Sequence, residues 1–373
     1  MARTLARVLR GEWLLIISFA TCVLFLWNGD AILSGLANPL WLTTVFAWLF
    51  GVMLGSALSA VRHADGLAEQ LGEPYGTLIL TLSVTFIEVA SISAVMLHGE
   101  NNPTLVRDTL LSVVIIILNG MVGLSLLVGA LRHREQAYNL QGANAYLGMI
   151  IPLVTLSLVL PTFTVTTPGP TLSLLQGAFV VFVTIGLYVA FLVIQTGRHH
   201  GYFTFGDQSE AISDVRSKTS LNGMSGLFNA VMLVAYMAPV VYLAEQLAHP
   251  IDYVIETLSA PAAIGGVAMA ILVATPEAIG ATRAAADNHM QRSVNIFLGS
   301  VLSTIGLTVP AMIVISHLIG RPITLGVEGA DMVMLLLTLA VSVVTFASGR
   351  TNVMQGLVHL VLFAGYLLLV FQA

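Results

Sequence analysis

Charge is scarce in this chain. Only 9% of its 373 residues are Asp, Glu, Lys or Arg, against about 25% in soluble globular domains. No block of Lys or Arg gathers on any stretch, so a nucleic-acid partner is excluded, and the net charge of -5 says little else because the charges sit in short connections. The single cysteine, Cys22, lies inside an apolar run. Disulfides, zinc clusters and thiol redox pairs are thereby excluded as organising features. There is no His-Glu-x-x-His, no Gly-x-Ser-x-Gly and no cysteine with a catalytic partner, which argues against an intramembrane enzyme. No polar stretch is long enough for a soluble catalytic domain.

Apolar residues fill the chain instead: 57% are hydrophobic, and the mean hydropathy is +0.92. Runs of roughly 20 such residues, the length that crosses a bilayer, fall at 13–28, 39–61, 76–97, 107–131, 144–163, 172–195, 223–247, 261–281, 293–318, 330–348 and 353–371. The fold expected is an all-α polytopic membrane protein of eleven helices. The first run follows Arg3, Arg7 and Arg10 and reads as a retained helix rather than a signal peptide, because no clear small-x-small cleavage site follows it and many more spans do. Twelve of the fourteen basic residues fall on alternate connections, leaving Arg107 and Arg321 opposite. By the positive-inside rule this puts the N-terminus in the cytoplasm and the C-terminus outside. The longest connection, 196–222, separates five runs from five. An odd number of crossings per half makes the halves enter the membrane in opposite senses, as in inverted-repeat carriers. The expected division is an extra N-terminal helix (1–34), a first repeat (35–195), a cytoplasmic linker (196–222) and a second repeat (223–373).

Two carboxylates break the apolar pattern. Glu88 sits near the middle of the third run and Glu277, directly after Pro276, in the eighth, so each half carries one in its second helix. An ionisable side chain at that depth costs roughly 2.5 to 3.5 kcal/mol and marks an ion or proton path. Its alternative is a structural glutamate bonded to a neighbouring helix. Helical spacing aligns Thr77, Thr81, Thr85 and Ser91 with Glu88 on one face. Thr81, Ser91, Thr275 and Pro276 read as lining a pathway. The run after each glutamate is rich in amides, hydroxyls and glycine: Ser112, Asn119, Gly120 and Gly123 in the first half, Asn295, Gly299, Ser300, Ser303, Thr304 and Gly306 in the second. These side chains read equally as oxygen ligands or as helix-packing groups.

A hard dication such as Ca²⁺ takes six to eight oxygens from carboxylates, carbonyls, amides and water. Glu88 and Glu277 are the candidate metal and proton ligands, with Thr85, Asn119, Asn295, Ser300 and Ser303 as auxiliary oxygens. Two carboxylates held out of water cannot stand empty and charged, so protons replace a departing cation; this is the physical basis of antiport. The stretch Arg62 to Tyr75, with Asp65, Glu69 and Glu73, reads as a solvated cytoplasmic connection, with pH sensing as the alternative. His359 reads as a packing residue of the last helix.

The runs LAEQLGEPYGTLILTLSVTFIEVASI, NPTLVRDTLLSVVIIILNGMVGLSLLVGA and ATPEAIGATRAAADNHMQRSVNIFLGSVLSTIGLTVP resemble the bacterial ChaA-type calcium/proton antiporters of the calcium/cation antiporter superfamily. The resemblance runs from the second helix onward. It implies eleven helices, a five-plus-five inverted repeat and one essential glutamate per repeat, here Glu88 and Glu277, with less direct counterparts of further ligands in Asn119, Asn295, Ser300 and Ser303. Vacuolar-type relatives carry Gly-Asn-x-x-Glu in both repeats. Here those positions read Val84-Thr85-Phe86-Ile87-Glu88 and Val273-Ala274-Thr275-Pro276-Glu277, without the asparagine. The expected function is export of cytoplasmic Ca²⁺ in exchange for protons, with Na⁺ or K⁺ exchange at the same residues as the alternative. An uncoupled cation channel is the rival from another class. No cofactor is expected, and the partners are membrane lipid and the transported ions; the sequence sets no oligomeric state.

Overall fold

The computed structural model describes residues 11–72, 75–98, 103–205 and 226–372, without the side chains of Thr77 and His98. Arg3, Arg7, Arg10, Glu73 and the linker from 206 to 222 lie outside the described residues. Among the described residues, eleven helices are long and apolar enough to cross a membrane: α1 (Trp13–Leu33), α2 (Pro39–Leu71), α3 (Tyr75–His98), α4 (Leu105–His133), α5 (Leu140–Phe163), α6 (Leu174–Thr196), α7 (Gly226–Thr257), α8 (Ala263–Ala286), α9 (Met290–Ile319), α10 (Gly329–Phe346) and α11 (Val353–Gln372). In lipid each backbone polar group must be satisfied within its own segment, which is why the apolar runs become helices.

The chain forms two compact units, residues 1–100 with 223–260 and residues 101–222 with 261–373. In the first, α2 and α7 pack along one another, α3 packs on both, and α1 closes the other side. Leu49, Met53, Ala57, Ala60 and Ala64, at helical spacing on α2, are buried toward these neighbours. Ser18 and Ser56 join α1 to α2 through their hydroxyls at 2.6 Å. Trp13, Trp27, Trp41 and Trp48 are exposed, as aromatic side chains are along a membrane surface.

The helix α2 continues to Leu71, ten residues past the apolar run. The stretch from Arg62 to Leu71 is therefore helical rather than a loop, while Asp65 and Glu69 on it stay exposed as expected from their charge. Arg62 and His63 reach partners elsewhere in the same unit. Arg62 Nη2 and Tyr236 Oη donate to Glu12 Oε2 at 2.7 and 2.8 Å, and His63, 2% exposed, holds Asn229 Oδ1 through Nδ1 at 3.0 Å. Burial alone pushes the Glu12 carboxyl up, but the Tyr236 hydrogen bond, the Arg62 charge and His63 outweigh it, and the net shift is downward.

In the second unit α4 and α9 are the most buried helices, and both contain a π-helical turn, Ile116–Met121 in α4 and Thr304–Thr308 in α9. The two turns are separated along the chain by the same interval, to within one residue, as Glu88 from Glu277. Two further π-turns, Thr155–Val159 in α5 and Tyr253–Thr257 in α7, each begin three residues after a proline, Pro152 and Pro250. Pro310 follows the one in α9. A proline removes a backbone donor and crowds the turn before it, which fits Pro310 after the π-turn of α9 and Pro161 after that of α5; Pro152 and Pro250 stand ahead of their turns and do not act on them in this way. The turn in α4 has no proline beside it.

Candidate functional site

Glu88 is 2% exposed on α3, in the unit built from α1, α2, α3 and α7. Thr85 and Ser91, one helical turn to either side, are buried on the same face, whereas Leu82 and Phe86 are half exposed on the opposite one. Thr81, a further turn along, is partly exposed. Hydroxyls in apolar helices ordinarily bond the carbonyl four residues back, as Ser83 does to Ile79 at 2.6 Å. Among the described residues the Thr85 and Ser91 hydroxyls have no hydrogen-bond partner. A buried carboxylate thus stands between two uncommitted oxygens.

Glu277 lies in the other unit, on α8, and is partly exposed. Ser300 of α9 donates its hydroxyl to Glu277 Oε2. Pro276 gives the Leu272 carbonyl no helical donor, and Thr275 bonds back to Ile271 O at 2.5 Å. Small residues allow α8 to lie close against the start of α4: a Cβ added at Gly266 would come within 2.7 Å of the Asp108 carbonyl carbon. Along its length α8 packs on α4, on the π-turn of α4 and on α9.

The remaining candidates divide. Ser303, buried beside Ser300, donates to the Ser300 carbonyl at 2.9 Å. Asn119 is fully buried in the π-turn of α4, where its Nδ2 donates to Thr338 Oγ1 at 2.8 Å and its Oδ1 faces His359 Nδ1 at 3.0 Å. Asn295 donates to the Phe203 carbonyl at 2.8 Å and accepts from Gln291 at 2.9 Å. Both amides are engaged by neighbouring protein groups. Among the described residues no three His, Cys, Asp or Glu side chains gather to hold a resident metal.

A polytopic helical protein with a carboxylate set into each of two apolar helices, beside hydroxyls and loosened backbone, has the build of an ion carrier. The chain belongs to the sodium/calcium exchanger protein family, whose model matches residues 41–197 and 228–372, five helices in each stretch. It is 38% identical over 352 residues to the sodium-potassium/proton antiporter ChaA of Escherichia coli (strain K12), covering 94% of each chain. It is 25% identical over 341 residues to a Ca²⁺/H⁺ antiporter of Synechocystis sp., covering 86% of this chain and 89% of the relative. The solved structure of native YfkE is similar in fold, with a TM-score of 0.74 over 96% of this chain and 100% of that one at 22% identity.

Proposed function

We propose that this protein is a proton-coupled cation antiporter of the bacterial inner membrane, exporting cytoplasmic Ca²⁺ against entering protons, with Glu88 and Glu277 taking cation and proton in turn. The observation that carries this is the burial of Glu88 between Thr85 and Ser91. A carboxylate flanked by neutral oxygens suits a hard cation, and when the cation leaves, its charge must be neutralised by a proton. Ser300 supplies a neutral oxygen beside Glu277 in the same way. The two five-helix stretches act as inverted repeats after an extra first helix, with the N-terminus cytoplasmic and the C-terminus outside. The transmembrane potential, about 2.3 kcal/mol per charge per 100 mV, assists any exchange in which the charges carried each way are unequal.

A second reading, Na⁺ or K⁺ in place of Ca²⁺, is favoured by the 38% identity to a relative named a sodium-potassium/proton antiporter. Everted membrane vesicles with an imposed pH gradient separate the two. Ca²⁺, Na⁺ and K⁺ are added singly, and the ion that dissipates the gradient at the lowest concentration, only when the protein is present, is the substrate. If none dissipates it while labelled Ca²⁺ still crosses, the protein is an uncoupled channel.

A further inference from the structure

The π-turn of α4 has no proline to cause it, and its polar contacts show what holds it. Three helices meet at Asn119. Its Nδ2 donates to Thr338 Oγ1 on α10, and the Thr338 hydroxyl is itself committed to the Met334 carbonyl at 2.7 Å. Its Oδ1 is left to face His359 Nδ1 on α11, so that nitrogen carries the proton; His359 Nε2 then accepts from Thr345 Oγ1 at 2.9 Å. One neutral tautomer satisfies every member of the chain. Asn119, Thr338 and His359 are all fully buried. Glycines bring α11 close enough for this contact: a Cβ on Gly356 would lie 2.7 Å from the Leu127 nitrogen, and one on Gly123 would lie 3.0 Å from the Gly356 carbonyl oxygen.

The held turn is one of the surfaces on which the second unit's candidate site rests. Both α8, which carries Glu277, and α9, which carries Ser300, pack against Ile116–Met121. We propose that His359 is a positioning residue for exchange: by donating Nδ1–H to Asn119 it fixes the π-turn of α4, and through that turn the placement of Glu277 and Ser300. The inference rests on the exchange reading above. It assigns no cation contact to His359.

Two substitutions separate positioning from packing. In His359→Asn the side-chain amide takes the place of Nδ1 and keeps the donor to Asn119. In His359→Gln the amide reaches the place of Nε2 and loses that donor while keeping more of the volume. If the Asn119 contact is what matters, His359→Asn stays within about twofold of wild type in the cation concentration that half-saturates proton movement. His359→Gln raises it about five- to tenfold, the size of one buried hydrogen bond, with a smaller change in maximal rate. The opposite order, or two unchanged variants, overturns the proposal. If His359→Gln does not fold, Thr338→Val frees the other end of the same amide and is expected to raise half-saturation comparably; an unchanged value overturns the proposal. A wild-type protein that moves no protons sinks the exchange reading instead. The rise in thermal midpoint that Ca²⁺, Na⁺ or K⁺ gives the purified protein then ranks the same variants, and the absence of any rise in wild type overturns this proposal too.

Discussion

Ser300 and Glu277 meet where α9 crosses α8, the serine hydroxyl donating to one carboxylate oxygen of a partly exposed glutamate. The bond ties the carboxylate of α8 to a helix whose next turn is π-helical. Ser300→Ala removes a neutral oxygen beside the carboxylate. A charge-assisted hydrogen bond is worth about 1.5 to 3 kcal/mol. The variant is expected to fold and to need at least tenfold more cation for half-maximal exchange, measured as concentration dependence in vesicles.

Glu12 gives the protein a pH-dependent element outside the membrane spans. Its carboxyl is held below the ordinary glutamate value of about 4.3 by Tyr236, Arg62 and His63 acting against burial. A depressed carboxyl stabilises the fold fully above that ordinary value, and the contribution is lost as pH falls through the folded value. Glu12→Gln is therefore expected to lower the thermal midpoint of the purified protein at pH 7, and the gap to wild type to close on acidification below about pH 4.3. A gap that stays constant with pH contradicts the assignment.

Gly356 and Gly365 lie on the same helix and should respond differently to a methyl group. A Cβ at Gly356 meets the backbone of Leu127 at 2.7 Å, whereas nothing lies within 4 Å of one at Gly365. Gly356→Ala is expected to destabilise by about 1 to 3 kcal/mol, read as a lower thermal midpoint. Gly365→Ala should be neutral or slightly stabilising, since alanine is the better helix former.

The eleven helices were legible because apolar runs of bilayer length have few other solutions, and the family resemblance pointed the same way. Their ends were less so. Arg62 and His63 look like loop residues until Glu12 and Asn229, distant in sequence, arrive to satisfy them, and α2 then runs on to Leu71. Glu88 and Glu277 stood out because a carboxylate in an apolar run is costly wherever it points. Asn119 and Asn295 did not declare their partners: an amide on a helix reads the same whether it faces an ion or the next helix, and only the packing shows Thr338, His359 and Phe203 against them. Prolines just downstream mark two of the π-turns, those of α5 and α9. The turn in α4 depends on a side-chain network that no local pattern encodes.

The central claim, that Glu88 and Glu277 carry cation and proton in turn, is tested most directly by proton movement in everted vesicles bearing wild type, Glu88→Gln or Glu277→Gln at matched amounts of folded protein. The account predicts that the exchanged cation collapses the pH gradient with wild type and that neither variant does so at any cation concentration. Full coupled exchange by either variant would contradict it.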